Sequence, residues 1–468
     1  MSTWVLRLGI LLVTWTILLP GQPLDWSALD AETLRHFQAL VRIDTTDPPG
    51  NEQPAVDYLK KVLEAEGFEV KVFTKWPNRP NLVARLKGSG KKRPVLMMAH
   101  TDTVNVDPKK WVDHGPFSAD LAGGHIYGRG TVDDKDNLTA SLMTMLLLKR
   151  SGVALDRDVI FLAESGEEGN TRVGIKFMVE EHWPEIEAEF CLAEGGGVSL
   201  EEGRLVSMNV ATAEKVPTRV ILKATGNAGH GSVPLADNAI ARLSSAVAKA
   251  AAWRTPMKLN DTTRTYFERL ATVSTPEKAA RYNRLTDPEK GEEIQEYFRL
   301  YEPRHYSMLR TSISPTIIRA GYRMNVIPSE GEATLDIRAV PDEDYDEFFA
   351  ALKKEIGDDS IEIERMLMER QPGKPSPLDT EMFRMLEKKQ REIYPGAITL
   401  PSMLTGATDM AFLRERGVAA YGIGPAIDVE DAPQGYGAHS DRERILEKEL
   451  YRFVRFHYEV VRDIAAAQ

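Results

Sequence analysis

The chain has 468 residues, 42% hydrophobic and 28% charged, an ordinary globular composition with length enough for two or more cores. A net charge of −11 leaves no basic footprint for nucleic acid or an anionic membrane surface, so neither is expected as a partner. The one cysteine, Cys191, sits in the apolar run Phe190-Cys-Leu-Ala193, reads as a buried small hydrophobe, and excludes an intrachain disulfide framework.

In chain order, Arg7 precedes an apolar run from Leu8 to Leu19 that Pro20-Gly21 ends. Its length is that of a signal-peptide core and short of a spanning helix, so residues 1–24 predict export, periplasmic or secreted. No clear small-x-small cleavage site follows, which leaves an uncleaved membrane tether as the second reading and a buried helix as the third.

From Asp30 onward helix-period and strand-period segments alternate, the pattern of an α/β protein. Residues 51–66 read as a helix with Asn51 as cap, Val56, Leu59, Val62 and Leu63 as apolar stripe, and Gly67 as stop. Short strands are expected over 69–73, 82–86 and 94–99, a helix over 137–150, and buried strands over 159–162 and 190–193. Between 215 and 366 the character changes. Half-exposed strands over 218–224, 314–320 and 332–339 alternate with helices over 238–253 and 345–355, which predicts an inserted α+β unit. The polar, helix-prone stretch 259–310 is its helical elaboration. The main domain is thereby divided into residues 25–214 and 367–468; in the second part a Pro-rich linker at 371–377 precedes a helix over 380–392, a strand over 419–423 and a closing helix over 443–464.

Five acidic or histidine motifs fall where buried strands should end. His100-Thr-Asp102 follows the strand at 94–99, so both side chains share one face at a carboxyl edge, with His100 as a metal ligand and Asp102 as its orienting partner. In Gly128-Arg-Gly-Thr-Val-Asp133-Asp134 the acids read either as helix-start residues favoured by the dipole or as a carboxylate bridging two cations. A phosphate loop is a poor match, for there is no Walker lysine and no third glycine. Glu164-Ser-Gly-Glu167-Glu168-Gly169 places like charges side by side between glycines, either as a solvated acidic loop or as one metal ligand beside one base. Glu194 follows a fourth strand, and His439 stands in Gly435-Tyr-Gly-Ala-His439. Imidazole nitrogens and carboxylate oxygens are the donors that a pair of divalent cations takes, and the set reads as a two-metal hydrolase.

Together these motifs resemble the dizinc exopeptidase and amidohydrolase family that includes glutamate carboxypeptidase, yeast-type carboxypeptidase S, the aminoacylases and succinyl-diaminopimelate desuccinylase. The resemblance runs from about Asp30 to the C-terminus. It implies a zinc-exopeptidase catalytic domain, a mixed sheet flanked by helices, with an inserted lid or dimerisation domain. It also implies two Zn2+ per subunit, with Co2+ or Mn2+ as substitutes: Asp133 bridges, His100 and Glu194 complete one site, and Glu168 and His439 the other. Glu167 matches the general base, Asp102 the acid behind His100, and the Asp133–Asp134 peptide is expected to be cis. Gly226-Asn-Ala-Gly-His230 resembles the lid loop whose imidazole stabilises the oxyanion, often in a dimer partner's site. Asn325 and Arg338 resemble the pair that grips a substrate carboxylate, and Gly406 and Thr408 resemble the substrate loop, with Ala407 where glycine is frequent. The implied reaction is amide hydrolysis beside a free-carboxylate residue, as a carboxypeptidase or dipeptidase, with N-acyl amino acid hydrolysis as the alternative. A catalytically inactive metal-stabilised binding protein is a remoter reading, and the assembly stays open between a homodimer through the insert and a monomer whose enlarged insert covers or replaces that surface.

Overall fold

Three runs buried at every position set the central layer: Val95–His100, Val159–Glu164 and Phe190–Ala193. A strand covered on both faces cannot alternate in polarity, and such strands pair in parallel beneath helices. In the computed structural model, which describes residues 24–368, 370 and 372–467, Val95–His100 lies between the other two and parallel to both. The expected export segment falls outside the described residues, and no described helix is long and apolar enough to cross a membrane.

These strands belong to a ten-stranded mixed sheet. Its order runs from Val70–Thr74 and Pro80–Leu86 through Val159–Glu164, Val95–His100, Phe190–Ala193 and Ala419–Gly422. It continues through Arg204–Glu214 and Gly197–Glu201 to Ala426–Asp428, with Ile398–Leu404 also pairing to Arg204–Glu214. Period-two alternation divides its side chains between two cores. Met97 and Phe161 face the helices Lys135–Ser151 and Glu447–Ala465, meeting Leu138, Leu142, Phe453 and Val460. Leu96, Met98, Ile160 and Leu162 face Ile175–Glu181 and Met410–Glu415 on the other side. Sequence reading passed over Arg204–Glu214 and Ile398–Leu404, which have Ser207, Asn209, Thr212, Pro401 and Ser402 among their apolar residues and so show neither an unbroken apolar run nor strict alternation.

The expected cap of the second helix is displaced. The helix is Gln53–Ala65, and Glu52 occupies the cap position without a capping hydrogen bond because its buried carboxylate is bound by Arg79.

A second sheet is antiparallel, in the order Ser312–Ala320, Glu330–Ala339, Val216–Thr225, Glu362–Arg365. Here polarity alternates. Val220, Leu222, Ala333, Leu335 and Ile337 pack beneath the helices Ala239–Ala252 and Tyr345–Ile356, while the intervening side chains are more exposed. Asn238 caps the first helix by accepting from the Ile240 and Ala241 amides, and Asp344 caps the second in the same way. Four short helices, Asp261–Val273, Pro276–Asn283, Gly291–Tyr301 and Pro303–Met308, enclose a small core of Phe267, Tyr282 and Phe298. Arg269 ties them to the main sheet through Glu387 and the Thr399 carbonyl.

Candidate metal centre

Parallel pairing brings the carboxyl ends of the buried strands to one edge, the position where open α/β sheets carry their sites. His100 stands beside Glu164 in register, and Glu194 directly follows Phe190–Ala193. His100 is 1% exposed, and its Nδ1 lies 3.0 Å from the Asp102 carbonyl oxygen. A carbonyl only accepts, so Nδ1 carries a proton; burial opposes a charge on the ring, but Asp102 and Asp133 outweigh it, so Nε2 is protonated as well, and a cation would take that nitrogen in the proton's place. That Nε2 is 3.0 Å from Asp133 Oδ1.

The carboxylate of Asp102 has a role the sequence did not reveal. Its Oδ1 is 3.6 Å from His100 Nδ1, a charge contact, while its oxygens accept from the amides of Gly166 at 2.8 Å, Glu167 at 3.2 Å and Glu168 at 3.0 Å. It therefore splints the loop that carries both glutamates.

Asp133 heads the helix Lys135–Ser151, with the Asp133–Asp134 peptide cis. One of its oxygens faces His100; the other lies 3.0 Å from His439 Nε2, which is also 3.0 Å from Glu168 Oε1. His439 adopts φ 63°, a left-handed conformation uncommon for a side-chain-bearing residue, in the loop before the closing helix. One donor atom each from His100, Asp133 and Glu194 lies within 4.8 Å of the others, and the same holds for Asp133, Glu168 and His439. Two nitrogen-and-oxygen donor groups sharing one carboxylate match the chemistry of a divalent pair, and no thiolate is among them. Asp134 backs this arrangement, accepting from the His100 amide at 3.2 Å and from Asn137 Nδ2 at 2.7 Å.

Electrostatics mark the centre as built for positive charge. Hydrogen bonds with Asp133 and Glu168 push the His439 imidazole up to about 10. Burial opposes ionisation of Asp133, but its two imidazole partners outweigh that and hold it below the usual carboxylate range. Burial, then repulsion from Glu167 and Asp133, pushes Glu194 well above that range; burial and Asp409 do the same to Glu167, against the pull of Arg370. A further acid group, Asp47, Glu52 and Asp102, is answered internally, since the Arg79 guanidinium binds Asp47 and Glu52.

Glu167 belongs to neither donor group. Its Oε1 accepts from Arg370 at 2.6 Å, and the same guanidinium donates to Asp409 at 3.0 Å. Sequence reasoning missed Arg370, because its contact with Glu167 joins residues 203 apart and no local pattern marks the segment before the linker; Asp409 stood in the motif that resembles the substrate loop, without this role.

The other expected residues are spread over both sheets. His230 and Asn325 come together through pairing of Gly229–His230 with Val326–Ile327, and the Gly231 amide donates to the Asn325 carbonyl at 2.9 Å. The His230 ring is exposed and bonded to Ser232 at 2.7 Å. Arg338 donates through Nε and NH2 to its neighbour Asp336 at 3.0 and 3.1 Å. Gly406 is exposed in its loop. Thr408 is buried, its hydroxyl and amide both bound to Glu214, which Arg414 holds in turn.

Known proteins share this architecture. A carboxypeptidase structure, M20 family metallo-carboxypeptidase Sso-CP2 from Sulfolobus solfataricus, superposes with a TM-score of 0.69 at 20% identity, covering 92% of this chain and 98% of that one. Among curated sequences, the N-fatty-acyl-amino acid synthase/hydrolase PM20D1 of Homo sapiens is 27% identical over 384 residues, covering 79% of this chain and 74% of that protein. The probable carboxypeptidase S-like 2 of Dictyostelium discoideum is 26% identical over 393 residues, covering 82% and 74%. The model of peptidase family M20/M25/M40 matches residues 96–463, a span that opens in the strand leading to His100 and closes in the helix beyond His439, and the chain belongs to that family of amide-bond hydrolases.

Proposed function

We propose that the protein is a dizinc exopeptidase, a carboxypeptidase or dipeptidase that cleaves the amide bond beside a residue with a free carboxylate. One observation carries the reading: the two oxygens of Asp133 face His100 and His439 in two separate donor groups, with Glu167 next to Glu168 in the chain, within electrostatic reach of Glu194 and His100, and a member of neither group. A site that only stabilised the fold would need the ligands and no spare acid. His100, Asp133 and Glu194 would hold one cation, and Asp133, Glu168 and His439 the other. Such a pair supplies Lewis acidity toward the scissile carbonyl and acidifies water.

The chain's own residues then act in sequence. Glu167 takes a proton from the attacking water, the oxygen adds to the amide carbon, and the same carboxyl delivers that proton to the nitrogen as the C–N bond breaks. Asp102 fixes the Glu167 backbone through the amides it accepts. His230, from this chain or from a second copy, donates to the developing oxyanion. Arg338 exchanges Asp336 for the substrate carboxylate, for which a planar guanidinium is well matched, with Asn325 beside it and the Gly406–Thr408 loop across the substrate.

The similarity to N-fatty-acyl-amino acid hydrolases supports a second reading, N-acyl amino acid hydrolysis by the same groups. Zinc-loaded protein assayed on blocked dipeptides and N-acyl amino acids, each as free acid and C-terminal amide, separates these. Free-acid dipeptides are expected to turn over fastest; preference for long-chain acyl substrates supports the second reading, and equal cleavage of acids and amides contradicts both. We also propose export through residues 1–24 and a homodimer, the latter supported by exposed Ile317, Ile318 and Tyr322 on and beside the edge strand of the smaller sheet.

A further inference from the structure

Backbone and side chain of Glu167 are held by different parts of the molecule. The amide is fixed by Asp102, but among the described residues the only hydrogen bond to the carboxylate comes from Arg370. Arg370 stands five residues beyond the strand Glu362–Arg365, in the segment that returns from the smaller sheet to the main one. Its side chain is mostly buried, its NH2 spans Glu167 and Asp409, and its Nε has no partner among the described residues. Around it the acids are crowded: Asp409 and Glu164 are almost wholly buried, and one carboxylate oxygen of each lacks a partner. Two carboxylates, Glu167 and Asp409, thus share one guanidinium, and the buried Glu164 repels both. Without that guanidinium, no hydrogen bond among the described residues would hold the Glu167 carboxylate against the repulsion that Asp409 exerts on it.

We propose that Arg370 is a positioning residue for the base: by bridging Glu167 to Asp409 it ties down one oxygen of Glu167 and leaves the other free to take the proton from the attacking water. This rests on Glu167 being that base. The proton passes from water to Glu167 and on to the leaving nitrogen; Arg370 stays protonated throughout and exchanges nothing. A guanidinium suits the task because its NH2 carries two N–H donors held in a fixed plane, one for each acid, whereas a lysine ammonium is a point charge with no such fixed geometry.

The test uses the full metal-loaded chain with Arg370→Ala, Arg370→Lys and Glu167→Gln. Arg370→Ala is expected to lower kcat by about 10²-fold, with KM nearly unchanged and two metal equivalents retained, since mispositioning costs turnover rather than binding. Millimolar guanidinium should restore part of the kcat of Arg370→Ala and none in the double variant with Glu167→Gln. Arg370→Lys should keep the fold and lose about tenfold in kcat, which decides the matter if the alanine variant shows no cooperative thermal transition. Wild-type kcat in either Arg370 variant while Glu167→Gln is inactive overturns the proposal alone. So does a raised KM at unchanged kcat, which would make Arg370 a substrate contact. Full activity in Glu167→Gln instead overturns the assignment of the base, and the proposal with it.

Discussion

Glu167 and Glu168 are chain neighbours whose carboxylates part company: Glu168 turns to His439 at 3.0 Å, and Glu167 turns to Arg370 at 2.6 Å. The flanking Gly166, at φ 83°, lets the backbone make that turn, and a side chain there would collide with the Asn170 carbonyl. Substituting Glu167 by glutamine keeps size and removes basicity. Turnover is expected to fall by a factor on the order of 10²–10⁴ with metal content unchanged, measured as kcat beside elemental analysis; undiminished kcat would show that another group takes the proton. At this scale Glu167, Glu168 and Glu194 were legible because they follow apolar strands and adjoin glycine, and Asp133 because paired glycines precede it. Arg370 was not, because nothing local marks a cation whose partners lie 203 and 39 residues away. Nor was the Asp102 splint, which depends on three amides that only the folded loop aligns.

The helices Lys135–Ser151 and Glu447–Ala465 meet beneath the sheet, and at their contact the Thr144 hydroxyl lies 2.8 Å from His457 Nδ1. Burial pushes His457 down to about 3, from 6.5 in an unfolded chain. The folded protein then binds fewer protons than the unfolded one, so this residue's contribution is intact above pH 6.5 and is lost as pH falls toward 3. The loss comes to about 2 kcal/mol at pH 5. In His457→Asn, whose amide oxygen can still accept from Thr144, the melting temperature should decline less than the wild type's between pH 7 and 5; parallel profiles would contradict a buried neutral imidazole. Elements were legible where one period held, as in Val216–Thr225 and Glu330–Ala339 of the smaller sheet, or where an apolar run was long enough for a helix, as in Lys135–Ser151. Arg204–Glu214 escaped because polar residues such as Thr212 are buried in it, and the Thr212 hydroxyl is satisfied by a distant partner, Thr262.

Across the whole molecule, the change from fully buried runs to alternating strands near residue 215 made the second sheet legible, whereas strand order did not show in the sequence. Ile398–Leu404 pairs with Arg204–Glu214 across nearly two hundred residues, a choice no local pattern encodes. The edge strand Ser312–Ala320 leaves Ile317 and Ile318 exposed at one side of the smaller sheet. Apolar edges of this kind recruit partners unless guarded, and here Pro315, the adjoining bulge and the exposed Arg319 leave Ile317 and Ile318 uncovered. The protein is therefore expected to run in light scattering at twice its 52.3 kDa chain mass, with Ile318→Asp shifting it to the single-chain mass at an unchanged melting temperature. A wild type that is already single-chain would remove the dimer.

The central claim is that one carboxylate serves two cation sites, and the metal content of purified variants after zinc loading and exhaustive desalting tests it most directly. The wild type is expected to retain about two zinc ions per chain, Glu194→Ala and Glu168→Ala about one each, and Asp133→Ala fewer than either, because its loss removes a ligand from both sites. No bound zinc in the wild type, or two in Asp133→Ala, would contradict the account.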